Sequence, residues 1–519
     1  MRVRVAGALV GIAAAAVALG VAELVGVFTG PSSTPLVAVG GVIVDHVPES
    51  LKHLAINLFG VHDKTALLTG TLVLLAAFAA LLGVLALRSP WYGIAGIALF
   101  GGVGIASAVT RPGAEPAAAL PSLVGSAAAA GVLWLLIAER PLPAAHADRP
   151  PRARDADRVA DRGEPDRRRM LRGVAIALGG ALVAGFGGRL LSTRRDVSAA
   201  RGDVRLPAAA STAPAVPADA DPPVKGLSRY VTGNRQFYRI DTALVVPQVD
   251  PRTWRLRVHG RVRHPFTITF DELLRRPMIE RYVTLACVSN EVGGDLIGNA
   301  RWLGVPLKEV LDEAEPLDGA DQVVGRSTDG WTCGTPTAVL RDGRDAMLAV
   351  GMNGQPLPVE HGFPVRMVVP GLYGYVSACK WVVELELTSF DDFDAYWVPR
   401  GWAQQAPIKT ESRIDAPRGG RVPAGQVTVA GVAWAQHRGV SKVEVRVDDG
   451  PFMEATLAGT VSIDTWRQWY WRWQATPGDH RLTVRATDRT GQTQTDEQEP
   501  PVPSGATGWH TVKVTVEAR

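Results

Sequence analysis

Five apolar runs crowd the first 191 of the 519 residues: Val5 to Val27, Ala66 to Leu87, Trp91 to Val109, Leu120 to Ile137 and Gly173 to Leu191. Each is about 20 residues long, the length a helix needs to cross the hydrocarbon of a bilayer. Lipid offers the backbone no hydrogen bonds, so such runs are expected as helices and not as strands. The stretch Leu36 to Val61 is apolar only at its ends. Its middle carries Asp45, His46, Pro48, Glu49, Lys52 and His53, and charge at mid-membrane is costly. It is expected at the interface or as a re-entrant segment, which leaves five spans, with six as the alternative.

Basic residues orient such a bundle. Arg2 and Arg4 precede the first run, Arg88 ends the second, and ten arginines lie between Arg140 and Arg172. Five spans with a cytoplasmic N-terminus put all of these on one side, and everything after about residue 195 on the other. The last span begins Arg167-Arg168-Arg169-Met170-Leu171-Arg172, which is similar to a twin-arginine export signal and equally readable as a basic stop region. No cleavage site is evident before Arg194, so the helix is expected to remain as an anchor. His46, His53 and His62, with Asp45 and Glu49, could hold haem or touch a quinone, or could simply be interfacial.

The rest of the chain has another character. Residues 193–225 are rich in Ala and Pro and predict an extended tether. From there short strands and helices alternate. Trp254–Val262, Tyr282–Cys287, Phe363–Val369 and Trp381–Leu387 are predicted strands, and Phe270–Leu274 and Leu307–Asp312 predicted helices. This is an α+β domain over 226–415. Beyond it, Gln426–Trp434, Lys442–Val447, Trp471–Ala475, Arg481–Asp488 and Thr511–Glu517 are short alternating strands separated by turns. They predict an immunoglobulin-like β-sandwich over 416–519. The whole is multi-domain: transmembrane helices (1–138), a cytoplasmic Arg-rich loop (139–172), a last anchor (173–192), the linker and the two soluble domains.

Net charge is only +4, with the excess Arg in one segment, so nucleic-acid binding is not expected. The three cysteines, Cys287, Cys333 and Cys379, include no C-x-x-C pair and make no disulfide scaffold. Cys333 and Cys379 read as small buried residues. Cys287 differs, because it ends a predicted strand in Thr284-Leu285-Ala286-Cys287-Val288-Ser289-Asn290. A thiolate there could bind a soft metal.

Three ordered stretches surround that cysteine's segment: Ile297-Gly298-Asn299-Ala300-Arg301-Trp302-Leu303-Gly304-Val305-Pro306-Leu307, then His361-Gly362-Phe363-Pro364-Val365-Arg366-Met367-Val368-Val369-Pro370-Gly371-Leu372-Tyr373-Gly374, then Lys380-Trp381. With them the chain, from about 230 to 415, resembles the sulfite oxidase and assimilatory nitrate reductase family of molybdopterin enzymes. The sandwich, notably at Ala433-Trp434 and Lys442-Val443-Glu444-Val445, resembles that family's dimerisation domain. The resemblance implies a molybdenum-molybdopterin cofactor with Cys287 as its metal ligand. It implies that Tyr238, Arg239, Asp329, His361, Arg366 and Lys380 contact the cofactor, the basic ones holding its phosphate. Arg239 and Arg400 would orient substrate, and Trp302 and Trp402 would wall the pocket. A homodimer is also implied.

Two departures bear on substrate. Sulfite oxidases carry Asn-Arg-Arg after the metal cysteine, where this chain has Asn290-Glu291-Val292. They carry Arg-Asp-Tyr after the Lys-Trp strand, where this chain has Arg400-Gly401-Trp402. The expected pocket is less cationic and more aromatic, which makes a neutral sulfoxide or N-oxide a rival to sulfite as the small oxygen-atom donor or acceptor. No stretch resembles the family's haem domain, so a separate cytochrome or a quinone is expected as electron carrier. The reading of another class is a non-catalytic cell-surface binding protein.

Overall fold

Apolar helices and polar-faced strands segregate along this chain, and the structure follows the division. The computed structural model describes residues 2–47, 58, 63–111, 114–138, 167–193 and 197–518. Two compact units emerge, one of residues 1–196 with 242–246, the other of 197–241 with 247–519.

The first unit is helical: α1 (Arg2–Thr29), α2 (Pro35–His46), α3 (Asp63–Ala86), α4 (Pro90–Val109), α5 (Leu120–Ala138) and α6 (Arg167–Thr193). Five described helices are long and apolar enough to cross a membrane, in the places the sequence predicts. Small residues let them touch. A β-carbon at Gly11 of α1 would lie 1.9 Å from the Ala79 carbonyl of α3, and one at Gly83 of α3 would lie 2.1 Å from the Gly7 carbonyl. The backbones therefore meet through a Gly-x-x-x-Gly stripe, a packing suited to lipid, where apolar side chains gain little by mutual burial. The outward faces are apolar: Leu74, Leu135, Leu182, Val183 and Phe186 are all exposed. Helix α2 is too short to span. His46, at its end, is exposed and its Nδ1 lies 2.9 Å from the Val42 carbonyl. His53, His62, Glu49 and the Arg-rich loop between α5 and α6 lie outside the described residues.

The second unit contains two β-rich parts. In the first, one sheet has the order β2 (Phe266–Thr269), β1 (Arg255–Gly260), β10 (Val382–Thr388), β5 (Gln322–Ser327), β6 (Thr332–Pro336), with β1 and β10 parallel. The other has the order β3 (Ile279–Ala286), β4 (Ile297–Pro306), β7 (Met347–Met352), β8 (Gln355–Pro356), with β9 (Arg366–Val368) also on β7. Short helices fill the connections. The helix Phe270–Leu274 starts on a capping box: Glu272 N–H donates to Thr269 Oγ1, and Thr269 N–H to the Glu272 carboxylate, which satisfies two orphan amides at once.

The sandwich pairs a sheet of β11 (Glu411–Ala416), β13 (Gly425–Trp434), β17 (Arg467–Ala475) and β16 (Thr456–Leu457) with one of β12 (Gly420–Pro423), β19 (His510–Glu517), β18 (Gly478–Asp488), β14 (Val440–Val447) and β15 (Met453–Glu454). Its core holds Val429, Val443, Trp469, Leu482 and Val484. Strand β11 begins at Glu411, ahead of the boundary expected at 416. The two parts also share a core, since Val432, Trp434 and Trp466 pack with the residues beneath β1, β10 and β5.

Two expectations are corrected. The 193–225 linker is not an extended tether where it is described. Ser198–Asp203 is a helical turn. Arg201 donates to the Pro356 and Leu357 carbonyls, 2.6 Å each. Ala210 N–H donates to the Met278 carbonyl and Glu280 N–H to the Ser211 carbonyl, and Ala220 is fully buried. An Ala/Pro chain loses little side-chain entropy on docking, and the free edge of β3 offers it hydrogen bonds that an edge strand otherwise leaves open. The strand predicted over Phe363–Val369 shrinks to Arg366–Val368 because Pro364 has no N–H to give and Gly362 turns the chain at φ 108°.

Candidate active site

Cys287 follows the last residue of β3, and the preceding turn of that strand is tied down with unusual completeness. Thr284 N–H donates to the Asp464 carbonyl (2.9 Å), its hydroxyl donates to Asn299 Oδ1 (3.1 Å) and accepts from Trp466 N–H (2.8 Å), and its carbonyl accepts from Gln436 Nε2 (3.1 Å). Three of these partners belong to the sandwich half, so that half sets where the cysteine stands. The loop after it closes on itself: Cys287 N–H donates to the Leu296 carbonyl and Leu296 N–H to Asn290 Oδ1. Asn290 Nδ2 is buried without a partner. Glu291, in the place where sulfite oxidases carry arginine, is exposed. Burial pushes the Cys287 thiol up; hydrogen bonds at Ser289 and the Lys380 charge offset part of this. Tyr238 stands close enough that burial and then Cys287 both push its hydroxyl up. A β-carbon on Gly374 would lie 3.6 Å from the Ala286 carbonyl and 3.9 Å from the Tyr238 hydroxyl.

Next to this thiol is a buried excess of positive charge. Lys380 Nζ and Arg239 Nε share one carboxylate oxygen, Asp241 Oδ2, at 2.9 Å each. Arg366 is 5% exposed and has no carboxylate of its own. Its guanidinium donates to the His361 carbonyl at 3.1 Å and lies 5.1 Å over the ring of Trp302. Among the described residues, the buried cations Lys380 and Arg366 thus have one buried carboxylate near them, Asp241, which Arg239 also pairs with from an exposed position. Burial lowers Arg366 to about 10, still charged at neutral pH. Burial lowers Lys380 to about 8 despite Asp241. Gly362 is what lets the two side chains converge: a β-carbon there would lie 3.0 Å from Arg366 Cβ and 3.1 Å from Lys380 Cβ. Buried cations without counterions are costly. The arrangement suits an anionic group such as a phosphate, which several converging N–H donors can hold.

His361 is expected as a basic residue, and with no carboxylate paired to it among the described residues the ring is held neutral. Burial, then Arg366, lower it to about 4, and its Nε2 lies 3.0 Å from the Asn234 carbonyl. It is a neutral hydrogen-bonding group packed edge-on to Phe237, not a cation. Trp302 is also corrected. It is fully buried, donates Nε1–H to the Val283 carbonyl, and forms a floor under Arg366 instead of a pocket wall. Asp329 sits in the turn after β5, where it accepts from Trp331 N–H. Arg400 lies over the Tyr396 ring, 3.8 Å from its centroid. Trp402 packs against Tyr375 and Trp397, and its indole N–H is buried without a partner. Tyr375 belongs to the same short helix as Gly374, so Trp402 approaches the cysteine's neighbourhood through that helix. Cys333 and Cys379 are buried in the core.

Sequence reasoning missed Asp241, the counterion of both Arg239 and Lys380. The only signal was its place two residues from Arg239, on the same side of an extended segment. It also missed Glu411, whose carboxyl burial pushes up to about 8 and whose Oε1 has no partner.

Comparison with known proteins fits this geometry. Residues 243–397 match the oxidoreductase molybdopterin binding domain and 411–484 a bacterial Ig domain. The mitochondrial sulfite oxidase of Mus musculus is 32% identical over 58% of this chain and 64% of its own length; that of Homo sapiens is 31% identical over 50% and 55%. The chain therefore spans less than two thirds of these curated relatives. The uncharacterized oxidoreductase YuiH of Bacillus subtilis is 32% identical over 30% of this chain and 76% of its own. A crystal structure of the sulfane dehydrogenase SoxCD of Paracoccus pantotrophus aligns with TM-score 0.49 and 23% identity over 56% of this chain and 84% of that one. The chain belongs to the family of oxidoreductases with a molybdopterin-binding domain, the enzyme class that works with a molybdenum-molybdopterin cofactor.

Proposed function

We propose that this chain is a membrane-anchored, extracytoplasmic oxygen-atom-transfer enzyme. The observation that carries the site assignment is the pair of buried cations beside Cys287, Lys380 and Arg366, with Asp241 as their one buried carboxylate among the described residues. Cys287 would ligate molybdenum. Tyr238, Arg239, Arg366 and Lys380 would hold the pterin and its phosphate, His361 would do so as a neutral hydrogen-bonding partner, and Asp329 would reach it from the turn after β5. When bound, the cofactor supplies the two-electron oxygen-transfer chemistry, and the protein supplies position and electrostatics. Arg239 and Arg400 would orient the substrate and Trp402 would shape its pocket. The basic flanks of the apolar helices support a cytoplasmic N-terminus and a second unit outside the cytoplasm. An external cytochrome or quinone would exchange electrons with the site, and the sandwich is the surface for a homodimer.

A neutral sulfoxide or N-oxide is favoured over sulfite by two observations. The buried, unpartnered Trp402 indole N–H can donate to a neutral oxide oxygen, and the arginines that follow the cysteine in sulfite oxidases are replaced by an exposed Glu291 and Val292. The test is to express the full chain with its cofactor pathway and measure molybdenum and pterin per chain, alongside Cys287→Ser. Near-stoichiometric metal, lost or spectrally altered in the variant, is expected. A well-folded protein without molybdenum would overturn the reading and leave a non-catalytic surface protein. Turnover of dimethyl sulfoxide or trimethylamine N-oxide against sulfite then decides between substrates.

A further inference from the structure

The helices of the first unit border a half-open cavity of about 420 Å³, within the range of small-molecule sites. Among the described residues, those of α1 to α5 line it, and they include no Asp, Glu, Lys, Arg, His, Cys, Met or Tyr. An ionic ligand would find no countercharge there, and a haem iron no axial side chain. Phe78 and Phe100, edge to face with centroids 5.0 Å apart, form one aromatic wall.

Hydroxyls interrupt the apolar lining. Thr71 returns its proton to the Leu67 carbonyl at 2.9 Å, the usual outlet for a hydroxyl on a helix. Ser122 does not. It is 2% exposed, lines the cavity, and its Oγ has no hydrogen-bond partner. It stands over Gly104, whose β-carbon would lie 2.6 Å away, just as Ser126 stands over Gly101 at 2.4 Å. The cavity therefore offers a hydrogen-bond donor to a neutral ligand that is otherwise apolar and flat enough to lie against aromatic side chains.

We propose that this cavity binds the headgroup of a prenylquinone, with the Ser122 hydroxyl donating to a quinone carbonyl. An acyl chain would fill the space but offers Ser122 no acceptor. The choice of a quinone among neutral carbonyl lipids rests on the oxidoreductase reading, which needs an electron carrier; the cavity itself does not depend on that reading.

The full chain in detergent micelles is titrated with decylubiquinone and, as a matched ligand without carbonyls, decylbenzene. Binding is read from the thermal unfolding of the protein. Saturable binding of the quinone is expected. Ser122→Ala should weaken it about two- to tenfold, the range for losing one hydrogen bond, and leave decylbenzene unchanged. Val39→Trp, which fills the cavity, should abolish quinone binding. No saturable binding of decylubiquinone to the wild-type protein, or equal binding of both ligands with no effect of Ser122→Ala, overturns the proposal. Molybdenum content is measured on the same samples. Metal without quinone binding sinks this inference alone, and quinone binding without metal sinks the enzyme reading alone.

Discussion

Lys380 makes the anion site sensitive to pH in a direction that can be worked out. Burial holds its ammonium at about 8, well under the ordinary lysine value, with Asp241 only partly compensating. A cofactor phosphate beside it would favour the charged form and raise that value. Above about pH 8 the empty pocket has lost a proton that the filled pocket keeps, so binding must take one up and weakens as pH rises. If the filled site holds its proton beyond pH 10, affinity falls about tenfold between pH 7 and pH 9, or about 1.4 kcal/mol. Neither neighbour titrates in that window, because His361 is already neutral and Arg366, at about 10, is still charged. Ligation by the Cys287 thiolate would release a proton and oppose this trend, so the assay is the pterin retained per chain across that range in a Cys287→Ser background. Adding Lys380→Arg keeps the charge fixed and should flatten the profile. A flat profile in Cys287→Ser alone, or an unchanged slope once Lys380→Arg is added, would refute the assignment of Lys380 to the phosphate.

Other expectations follow from the same geometry. Gly362→Ala forces a left-handed backbone, costing about 1–3 kcal/mol, and pushes on both Arg366 and Lys380; chemical denaturation and cofactor retention should both drop. Thr284→Val leaves Asn299 Oδ1 and Trp466 N–H unpaired in the shared core and should cost about 2–4 kcal/mol, with the two halves of the second unit still melting together in calorimetry. His361 is neutral in the folded state, so its stabilising contribution is complete above about pH 6.5 and is lost as pH falls towards about 4; apoprotein stability should drop by up to about 3 kcal/mol over that interval, and His361→Gln should remove most of the drop.

The parts of the fold that sequence revealed are those where one physical preference acts alone. The apolar runs become helices because lipid-length hydrophobicity leaves no other structure, and β19, with every second residue buried, follows its alternation. The linker was misread because its composition describes an isolated chain, whereas its conformation is set by the edge of β3, a partner some 70 positions away in the bridge of Ser211 to Ile279. Phe363–Val369 has the residues of a strand but lacks the N–H groups and the straight backbone that a longer ladder requires. In the site, Cys287 was marked by its place at a strand end, but Arg366 and Lys380 were found only through resemblance, since no periodicity connects positions 287, 366 and 380. Charge state was beyond reach altogether. Whether His361 is a cation depends on burial and on Arg366 beside it, and neither is visible before the chain is folded.

Those charge states carry a consequence for the order of assembly. An empty pocket holds the buried Lys380 and Arg366 near Asp241, which the exposed Arg239 also pairs with, in surroundings dry enough to depress both Lys380 and Arg366. Self-repulsion and desolvation oppose closing that pocket, and a phosphate relieves both at once. Ligand that binds only the folded state stabilises it by mass action. The loaded second unit should therefore unfold at higher denaturant than the empty one, by more than packing around a pterin ring alone would give. Lys380→Met should narrow the gap by easing the empty state. On the proposed topology this unit crosses the membrane. A domain that is more stable once filled is best filled before it crosses, and on that topology the resemblance of Arg167-Arg168-Arg169, in the first turn of α6, to an export signal for folded proteins would have its reason.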